Sequence, residues 1–369
     1  MQSFKRDFLA VMRLSPASSW LVGACMEARG KQELWKQTKP EVLERLRETA
    51  IVQSAESSNR IEGVSVQSSR LIPLLGGSTA PRDRSEEEVL GYKKTLDLIF
   101  KDYADLEITP KTIRKLHLLS QGGVSADAGE WKMRNNEIIE VNANGERTIR
   151  FVPVPPENTA FAIEQLCYGF AEVSDQRSLP DLIAIAAFVL DFLCIHPFRD
   201  GNGRVSRLLA LLLLIRSNYE IGRYISLERL VEASKDRYYE TLKMSSESWH
   251  EGRHAIEPFL NFFCAILKEG YGELAIRVNF KYTQAKLLTK NKSRDIQKRK
   301  YEESHPAPLS GLIEQHILSQ ISTFALKDIK SLCPTASEQL VKKILYRMKQ
   351  ERRVKLEGRG RAARWRLRQ

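Results

Sequence analysis

The chain has 369 residues, a formal net charge of +12 and 42% hydrophobic residues, enough for roughly two or three domains with a sizeable core. Its five scattered cysteines lack paired spacing, which argues against a disulfide framework or a zinc site and favours reduced thiols in a cytoplasmic protein. No apolar run is long enough to span a membrane, and the first residues lack a signal-peptide pattern, so we expect no membrane insertion.

Apolar residues recur at helical spacing through much of the N-terminal part. Leu43 and Leu46 share one face of residues 40–58, and residues 85–99 begin with a serine followed by acidic residues. Residues 109–120 have the pattern of a further helix. These segments predict a mainly α-helical fold.

Residues 131–154 alternate in part between apolar and polar side chains, and Asn144-Gly145 is a strong turn signal between the two halves. The pattern predicts a β-hairpin. This hairpin is either a small structural element or, beside a reactive site, a strand edge with which an extended segment of a target protein pairs. After Pro155 and Pro156, residues 158–171 resume a helical pattern.

The most informative segment is residues 196–207, HPFRDGNGRVSR. Residues 182–195 before it and residues 208–215 after it are apolar enough to be buried helices, so a short polar loop lies between two core helices. Burying polar groups is costly in free energy unless they are paired with other groups of the protein. A catalytic or ligand-binding role would explain why so many polar residues lie there. The alternative is a satisfied core histidine followed by an ordinary polar turn.

The residue types in this loop suit phosphate chemistry. Gly201-Asn202-Gly203 at a helix start directs backbone N–H groups toward an anion. Arg204 and Arg207 lie three residues apart, which places them on one helix face where both can grip a polyphosphate.

Two further loop residues complete the predicted site. Asp200 would repel phosphate unless a divalent cation joined them, which indicates Mg²⁺. His196 has an ordinary pKa near neutrality and can take a proton from a hydroxyl. Cys194 is a potential nucleophile by position, but we expect it to pack in the helix end.

Every defined position of this loop matches the motif HPFx(D/E)GNGRxxR, so the chain resembles the Fic (filamentation induced by cAMP) family over about residues 15–270. The resemblance implies a protein adenylyltransferase that moves AMP from ATP to a Ser, Thr or Tyr hydroxyl of a target protein and releases pyrophosphate. It also implies that the predicted hairpin is the target-docking flap. The implied roles are general base for His196, Mg²⁺ ligand for Asp200, phosphate binding for Gly201, Asn202, Gly203 and Arg204, and γ-phosphate binding for Arg207.

A second motif lies upstream, where Ser58, Glu62 and Gly63 fit the family's inhibitory pattern (S/T)xxxE(G/N). The resemblance implies that Glu62 pairs with Arg207 and thereby keeps the γ-phosphate from binding correctly. Inhibition within one chain or across a homodimer, and a role of Glu62 in removing AMP, both stay open.

Residues 237–242 resemble the family segment whose tyrosine lines the adenine pocket. Tyr238 and Tyr239 are therefore candidate ATP-binding residues. The alternative is that both pack in the core, as tyrosines at helical spacing usually do.

Residues 281–369 carry essentially all of the excess positive charge. The pattern of residues 281–303 predicts a basic helix. The segment beyond has the pattern of three helices followed by a two-stranded wing over residues 354–367, and this order resembles a winged helix-turn-helix. Such a basic surface suits DNA, although winged helices also bind protein. The cations that would form the surface are Lys342, Lys343, Arg347 and Lys349 of the third helix and Arg359, Arg361, Arg364 and Arg366 of the wing.

The predicted fold is a mainly α-helical Fic bundle with a small β-hairpin flap and a C-terminal winged helix-turn-helix. Its expected segments are an N-terminal helical region (1–105) with the inhibitory motif (58–63), a catalytic domain (106–275), a basic linker helix (276–304) and a winged-helix domain (305–369). The predicted function is an autoinhibited, ATP- and Mg²⁺-dependent adenylyltransferase. The alternatives are a Fic-fold transferase with another donor, a de-AMPylase, or a DNA-binding regulator with a Fic sensor domain.

Overall fold

The computed structural model describes residues 2–38, 40–141, 145–298, 313–314, 317, 323–332, 336–351, 353–358 and 364–367. These residues form two compact units, 1–284 and 285–369. The predicted turn residue Asn144, the linker positions 299–304, Cys333 and Thr335, and the wing residues Arg359 and Arg361 lie outside the described residues. The division into four segments stays a prediction.

The first unit is built from helices. Their bounds are α1 Arg6–Val11, α2 Pro16–Thr38, α3 Pro40–Ile61, α4 Ser68–Leu75, α5 Arg84–Asp102, α6 Pro110–Ser120, α7 Pro156–Asp175, α8 Asp181–Ile195, α9 Asn202–Arg216, α10 Leu227–Ala233, α11 Lys235–Ser246 and α12 Glu257–Lys298. The boundary between the two units falls within α12. Among the described residues, no helix combines the length and apolarity that crossing a bilayer requires.

Helices α8 and α9 form the centre of the first unit. Nearly every side chain of both helices is buried, as expected for helices that are apolar on all sides. Helices α7 and α11 pack against α8, and α3, α5 and α6 pack against α9. The two predicted core helices are therefore confirmed, and because α9 begins at Asn202, residues 196–201 connect them and residues 202–207 form the first turns of α9.

Local sequence signals set several helix boundaries. Thr109 caps α6, because its hydroxyl accepts a hydrogen bond from the Thr112 N–H at 3.2 Å and Pro110 occupies the first helical position. Asp83 caps α5 in the same way by accepting from the Glu86 N–H at 2.9 Å. The predicted helices at 40–58, 85–99 and 109–120 are confirmed as α3, α5 and α6.

The predicted hairpin is also present. Strand β1 (Ile138–Val141) pairs antiparallel with β2 (Arg147–Phe151), and the register shifts between Ile138 and Ile139. Gly145 in the connection has a φ of 81°, which glycine adopts without strain. The strands are shorter than the predicted segment 131–154, because residues 131–137 run without regular structure along the loop at 196–207.

The described part of the second unit contains α13 (Leu326–Leu332), α14 (Glu338–Gln350), β3 (Val354–Glu357) and β4 (Arg364–Leu367). The two strands pair antiparallel, and Phe324 bridges to Trp365. The N-terminal cap of α14 is Ser337, whose hydroxyl accepts from the Leu340 N–H. These elements give two helices and a two-stranded sheet, while the complete winged-helix arrangement stays a prediction.

Candidate active site

The loop between α8 and α9 turns on two left-handed residues. His196 ends α8 with a φ of 52°, and its N–H donates to the Phe192 carbonyl. Gly201 precedes α9 with a φ of 78°. A Cβ atom at Gly201 would lie 2.2 Å from the Gln121 Nε2, so glycine is required there by both backbone angle and space. A non-glycine residue at positive φ is uncommon, and His196 is held there by the elements on either side.

The side chain of Asn202 closes this loop. Its Oδ1 accepts from the Phe198 N–H at 2.9 Å, and its Nδ2 donates to the Phe198 carbonyl at 2.8 Å. The Phe198 ring is fully buried and stacks on His117 with a centroid distance of 3.7 Å. The amide of Asn202 therefore holds the backbone of the loop, which leaves its main-chain N–H for a ligand.

Lys132 and Asn136 support the loop from the segment that precedes the hairpin. The Lys132 Nζ donates to the Ile195 carbonyl at 3.1 Å and to the Asn136 Oδ1 at 2.8 Å, and Asn136 donates to the Phe198 carbonyl. Burial lowers the pKa of Lys132 to about 8. Neither residue was predicted from the sequence, because no local pattern links them to a loop 60 positions away.

His117 on α6 is a second support of the loop and was not predicted from the sequence. Its Nδ1 accepts from the Gly129 N–H at 2.8 Å, so the proton lies on Nε2, which donates to the Asp200 carbonyl at 3.1 Å. Burial lowers the pKa of His117 to about 4, which keeps the ring neutral. The only sequence signal is a histidine on an apolar helix face, and that signal does not identify a partner.

His196 is half-buried and lines a cavity of about 110 Å³. Its Nδ1 lies 3.2 Å from the Leu193 carbonyl, an acceptor that fixes the proton on Nδ1 and leaves the Nε2 lone pair free. Burial lowers the pKa of His196 to about 4, and the hydrogen bond to Leu193 opposes this shift. The ring is therefore an uncharged acceptor at neutral pH.

The cavity brings together part of the predicted set. The predicted site residues that line it are Glu62, His196, Gly203, Arg207, Tyr238 and Tyr239. Asp200, Gly201, Asn202 and Arg204 are not among its lining residues. Arg150 of β2 lines it as well and was not predicted.

Arg207 is bound to the end of α3. Its Nε donates to the Ser58 Oγ, and its Nη2 donates to both the Ser58 carbonyl and the Glu62 Oε1, all at 2.9 Å. Burial alone would lower the pKa of Arg207, but the Glu62 carboxylate outweighs it and the pKa lies above its ordinary value. The Nη1 of Arg207 is buried without a hydrogen-bond partner, so one donor of the guanidinium stays available.

Glu62 follows the last residue of α3, and Gly63 lets the chain leave the helix with a φ of 84°. Lys235 donates to the Ile61 carbonyl at 2.7 Å, so two cations, Arg207 and Lys235, satisfy carbonyls at this helix end. A Cβ atom at Gly203 would lie 2.2 Å from the Glu62 Oε1. The Glu62 carboxylate thus packs against the first turn of α9, where a helix attracts anions.

Arg204 has different partners from Arg207. Its Nη1 donates to the Glu88 Oε2 at 2.6 Å and to the Asn59 Oδ1 at 3.2 Å, and only 1% of the arginine is exposed. In this structure Arg204 is bound to Glu88 on α5 and does not line the cavity, so binding of one ligand by both arginines stays a prediction. A phosphate role for Arg204 stays a prediction.

Asp200 has a largely exposed carboxylate at the start of α9. Its Oδ1 accepts from the Gly201 N–H at 2.7 Å, and its Oδ2 lies 3.6 Å from Arg84 and 3.8 Å from Arg204. In the described part of the chain, no group of three or more His, Cys, Asp or Glu residues is arranged to hold a metal ion. A single carboxylate nevertheless fits Mg²⁺, which is commonly held by one or two carboxylates together with substrate phosphates.

Tyr238 and Tyr239 line the cavity together with Arg207. The centroids of the two tyrosine rings are 5.2 Å apart. Tyr238 is buried, and burial raises the pKa of both hydroxyls. Cys194 is also buried, and burial raises the pKa of its thiol well above the ordinary value. The expectation that Cys194 packs in the helix end is confirmed, and the four described cysteines are all free.

Comparisons with known proteins agree with this geometry. Residues 107–214, which include the whole loop, match the model of the Fic/DOC family. The protein adenylyltransferase Fic of Drosophila virilis is 29% identical over 225 residues, which are 60% of this chain and 42% of that protein. The protein of the same name from Drosophila ananassae is 30% identical over 177 residues, 47% of this chain and 31% of that protein. The chain thus spans less than half the length of these relatives.

Solved structures share the fold at low sequence identity. A Fic family protein from Desulfovibrio desulfuricans has a TM-score of 0.59 at 16% identity, covering 96% of this chain and 97% of that one. A Fic domain containing signaling protein from Bacteroides thetaiotaomicron has a TM-score of 0.58 at 22% identity, with 69% and 97% covered. Caenorhabditis elegans Fic-1 (residues 134–508) has a TM-score of 0.55 at 18% identity, with 73% and 74% covered. Sequence match, fold and loop geometry agree that this chain carries a Fic/DOC family domain.

Proposed function

We propose that this chain is a protein adenylyltransferase that moves AMP from ATP to a Ser, Thr or Tyr hydroxyl of a target protein, held off by Glu62. The observation that carries the proposal is one cavity in which the free Nε2 of His196, the first turn of α9 at Gly203 and the guanidinium of Arg207 meet. The relatives that bear the name protein adenylyltransferase support the same reaction class.

In this proposal His196 is the general base. Its Nε2 accepts the proton of the target hydroxyl while the hydroxyl oxygen forms a bond to the α-phosphorus and the bond to pyrophosphate breaks. The hydrogen bond from Nδ1 to the Leu193 carbonyl holds the ring in the required tautomer. Since the pKa of His196 is about 4, the ring is in its accepting form throughout the neutral range.

The phosphates are held by the start of α9 and by Arg207. Backbone N–H groups at a helix N-terminus attract anions, and the Arg207 Nη1 is a buried donor with no partner in the described residues. Asp200 would hold Mg²⁺ at the same helix start, and a bound Mg²⁺ would neutralise phosphate charge. The adenine position is assigned to the Tyr238 and Tyr239 side of the cavity.

Glu62 is the inhibitory residue in this proposal. Its carboxylate accepts a hydrogen bond from the Arg207 Nη2 and packs against Gly203. It therefore occupies the place beside Arg207 and the start of α9 where a phosphate group would bind. A nucleotide that binds beside it cannot reach Arg207 correctly, and a small displacement of the α-phosphate is enough to slow transfer strongly.

The test is transfer of label from α-labelled ATP with Mg²⁺ onto protein, comparing the natural chain, Glu62→Gly and Glu62→Gly/His196→Ala. We expect label in the single variant and a loss of roughly 100-fold or more in the double variant. No label in any of the three, with ATP binding intact, would contradict adenylyl transfer and favour another donor or a regulatory role. Competition by other nucleotides separates the donors, and release of AMP from labelled protein by the natural chain would support a de-AMPylase.

A second proposal concerns the C-terminal unit, which we infer to be a winged helix that contacts duplex DNA through α14. The exposed residues of this helix include Lys342, Lys343, Arg347 and Lys349, and its apolar side is buried. Two of these cations are paired within the chain, Lys342 with Glu338 and Arg347 with Glu314. Lys343 and Lys349 are therefore the first to test.

The experiment measures binding of the full chain to a DNA duplex across a salt series. Replacing Lys343 and Lys349 together by Ala is expected to lower the slope of log affinity against log salt by about 2, one for each phosphate contact. An absence of DNA binding at low salt would end this proposal and leave a protein partner for the same surface.

A further inference from the structure

Arg150 lies in the second strand of the hairpin and faces the catalytic cavity. Of its neighbours on the strand, Ile149 is 56% exposed and does not line this cavity, whereas the buried Phe151 lines it as well. Arg150 itself is half-buried and lines the same cavity as His196, Gly203 and Arg207. A cation from the hairpin therefore reaches the site from an element that the motif does not include.

This guanidinium has no acceptor of its own in the described part of the chain. Its Nε is fully buried without a hydrogen-bond partner, and the guanidinium forms no ion pair there. The acid that acts on it most strongly, Glu140, is already bonded to the Lys243 Nζ at 2.6 Å. Burial lowers the pKa of Arg150, so the surroundings do not stabilise its charge. A buried donor atom without a partner is costly, which is the condition expected at a site where a ligand supplies the acceptor.

The other cations near the loop are engaged by the protein. Arg207 binds Ser58 and Glu62, Arg204 binds Glu88, and Lys132 binds backbone and amide oxygens. Among the described residues that line the cavity, Arg150 is thus the cation with no hydrogen bond or ion pair to the protein, whereas Arg207 keeps only its Nη1 without a partner. Its planar fork of donors matches the oxygens of a phosphate better than a single ammonium would.

We propose that Arg150 is an additional phosphate-binding residue, which donates to a non-bridging oxygen of the bound nucleotide from the hairpin side of the cavity. The inference rests on the proposed function, because it assumes a nucleotide in this cavity. No bond to Arg150 forms or breaks; its charge offsets the negative charge that the transferred phosphate carries. The hairpin then serves the donor nucleotide as well as the target protein.

An acidic side chain of the target is the other oxyanion that could reach Arg150, because Arg150 also borders an open groove between β2 and residues 243–251. The two sources differ in a simple way. A phosphate contact affects nucleotide binding when no target is present, whereas a target contact does not.

The experiment measures nucleotide binding by calorimetry without target, in the Glu62→Gly background that frees Arg207. Adding Arg150→Ala is expected to weaken ATP binding about 10-fold or more and to leave adenosine binding unchanged. Arg150→Lys should recover part of the loss, since it keeps the charge without the fork. Arg147→Ala is the matched control, because Arg147 is an exposed arginine of the same strand and should leave both ligands unaffected.

Each other outcome counts against the inference. An equal loss for ATP and adenosine would mean that Arg150 only shapes the hairpin. Unchanged ATP binding together with a raised KM for a target protein would assign Arg150 to an acidic group of the target. If the Glu62→Gly chain with Arg150 intact bound no ATP, both this inference and the proposed function would fail. If that chain bound ATP and transferred AMP, and Arg150→Ala changed neither, the inference alone would be overturned.

Discussion

The loop at 196–207 and the hairpin at 138–151 face the same cavity but are held in different ways. The loop has a buried Phe198 at its centre, an Asn202 amide that closes it, and donors from Lys132 that hold its carbonyls. The hairpin has exposed apolar residues at Ile139 and Ile149 and a surface ion pair at its edge. One side of the site is fixed by buried polar contacts, and the other is a short two-stranded ribbon.

This difference matches the demands that the two sides would meet in a transferase. The phosphate and the base must keep one geometry to within a fraction of an ångström, which buried and satisfied hydrogen bonds provide. A protein substrate arrives with its own backbone, and a strand edge with exposed side chains can pair with many extended segments. The contrast predicts that mutations around the loop cost stability and transfer together, while mutations at the edge of the hairpin leave stability nearly unchanged.

The largest expected effect comes from the ion pair behind the loop. Glu88→Ala would leave the buried Arg204 guanidinium without its carboxylate and should lower the free energy of unfolding by about 3–5 kcal/mol. Glu130→Ala is the control, since the Glu130 carboxylate pairs with Arg114 at the surface and should contribute less than about 1 kcal/mol. Urea unfolding of both variants checks the difference, and equal values would remove the claim that the loop is fixed by buried contacts.

The next effect tests how the loop is closed. Asn202→Ala removes both hydrogen bonds to the Phe198 backbone, which leaves the Phe198 N–H buried without a partner while its carbonyl keeps only the bond from Asn136. We expect a loss of about 2 kcal/mol in unfolding free energy and of roughly 10- to 100-fold in AMP transfer by the Glu62→Gly chain. Asn135→Ala, at an exposed asparagine before β1, should change neither quantity. Full activity of the Asn202 variant would show that the loop keeps its shape without this amide.

A third prediction uses pH, because His117 and His196 support or form the loop while residues 138–151 contain no histidine. The pKa of each of these two histidines is lowered to about 4 by burial, against an ordinary value of 6.5. Between pH 4 and 6.5 the unfolded chain binds more protons than the folded chain, so stability is present above this window and is lost as pH falls through it. The expected contribution is about 3 kcal/mol for each histidine.

Unfolding free energies measured from pH 7 to pH 4 check this prediction. His117→Gln should flatten the slope, since it removes one of the two titrating rings. An unchanged slope in that variant would mean that the His117 ring is not held neutral by its contacts with Gly129 and Asp200.

The smallest effect is expected at the edge of the hairpin. Lys243→Ala breaks the ion pair with Glu140, in which both side chains are about half exposed. The unfolding free energy should change by less than about 0.5 kcal/mol, because water and salt screen such pairs. A loss of more than about 1.5 kcal/mol in urea unfolding would show that the hairpin depends on this contact and would weaken the contrast between the two sides.

Local signals in the chain were sufficient for much of the fold. The apolar runs on both sides of the loop predict two buried helices, Thr109 and Pro110 predict the start of α6, and the turn signal at Gly145 predicts the hairpin. These features depend on residues a few positions apart, so the chain displays them directly. Exact bounds are harder to predict, because the strands of the hairpin cover only Ile138–Val141 and Arg147–Phe151 of the predicted segment 131–154.

In the candidate site, the sequence predicts some contacts between distant residues and not others. The motif predicts the loop, and the second motif predicts the contact of Glu62 with Arg207, which are 145 positions apart and 2.9 Å from each other in the structure. Spacing alone placed Arg204 and Arg207 on one helix face, but two different helices meet that face. Helix α3 brings Glu62 to one arginine, and α5 brings Glu88 to the other.

The sequence by itself indicated where the helices and the hairpin form and which loop is the candidate site, and its second motif predicted Glu62 as the partner of Arg207. Only the tertiary structure decided which donors hold the loop, which arginine faces the cavity, and that Arg150 of the hairpin reaches the same space. The physical reason is that helix propensity, capping and turn chemistry act between near neighbours, whereas the partner of a buried charge is set by how distant segments pack. Lys132, His117 and Glu88 each lie far from the loop in the chain and reach it only because their segments pack around α9.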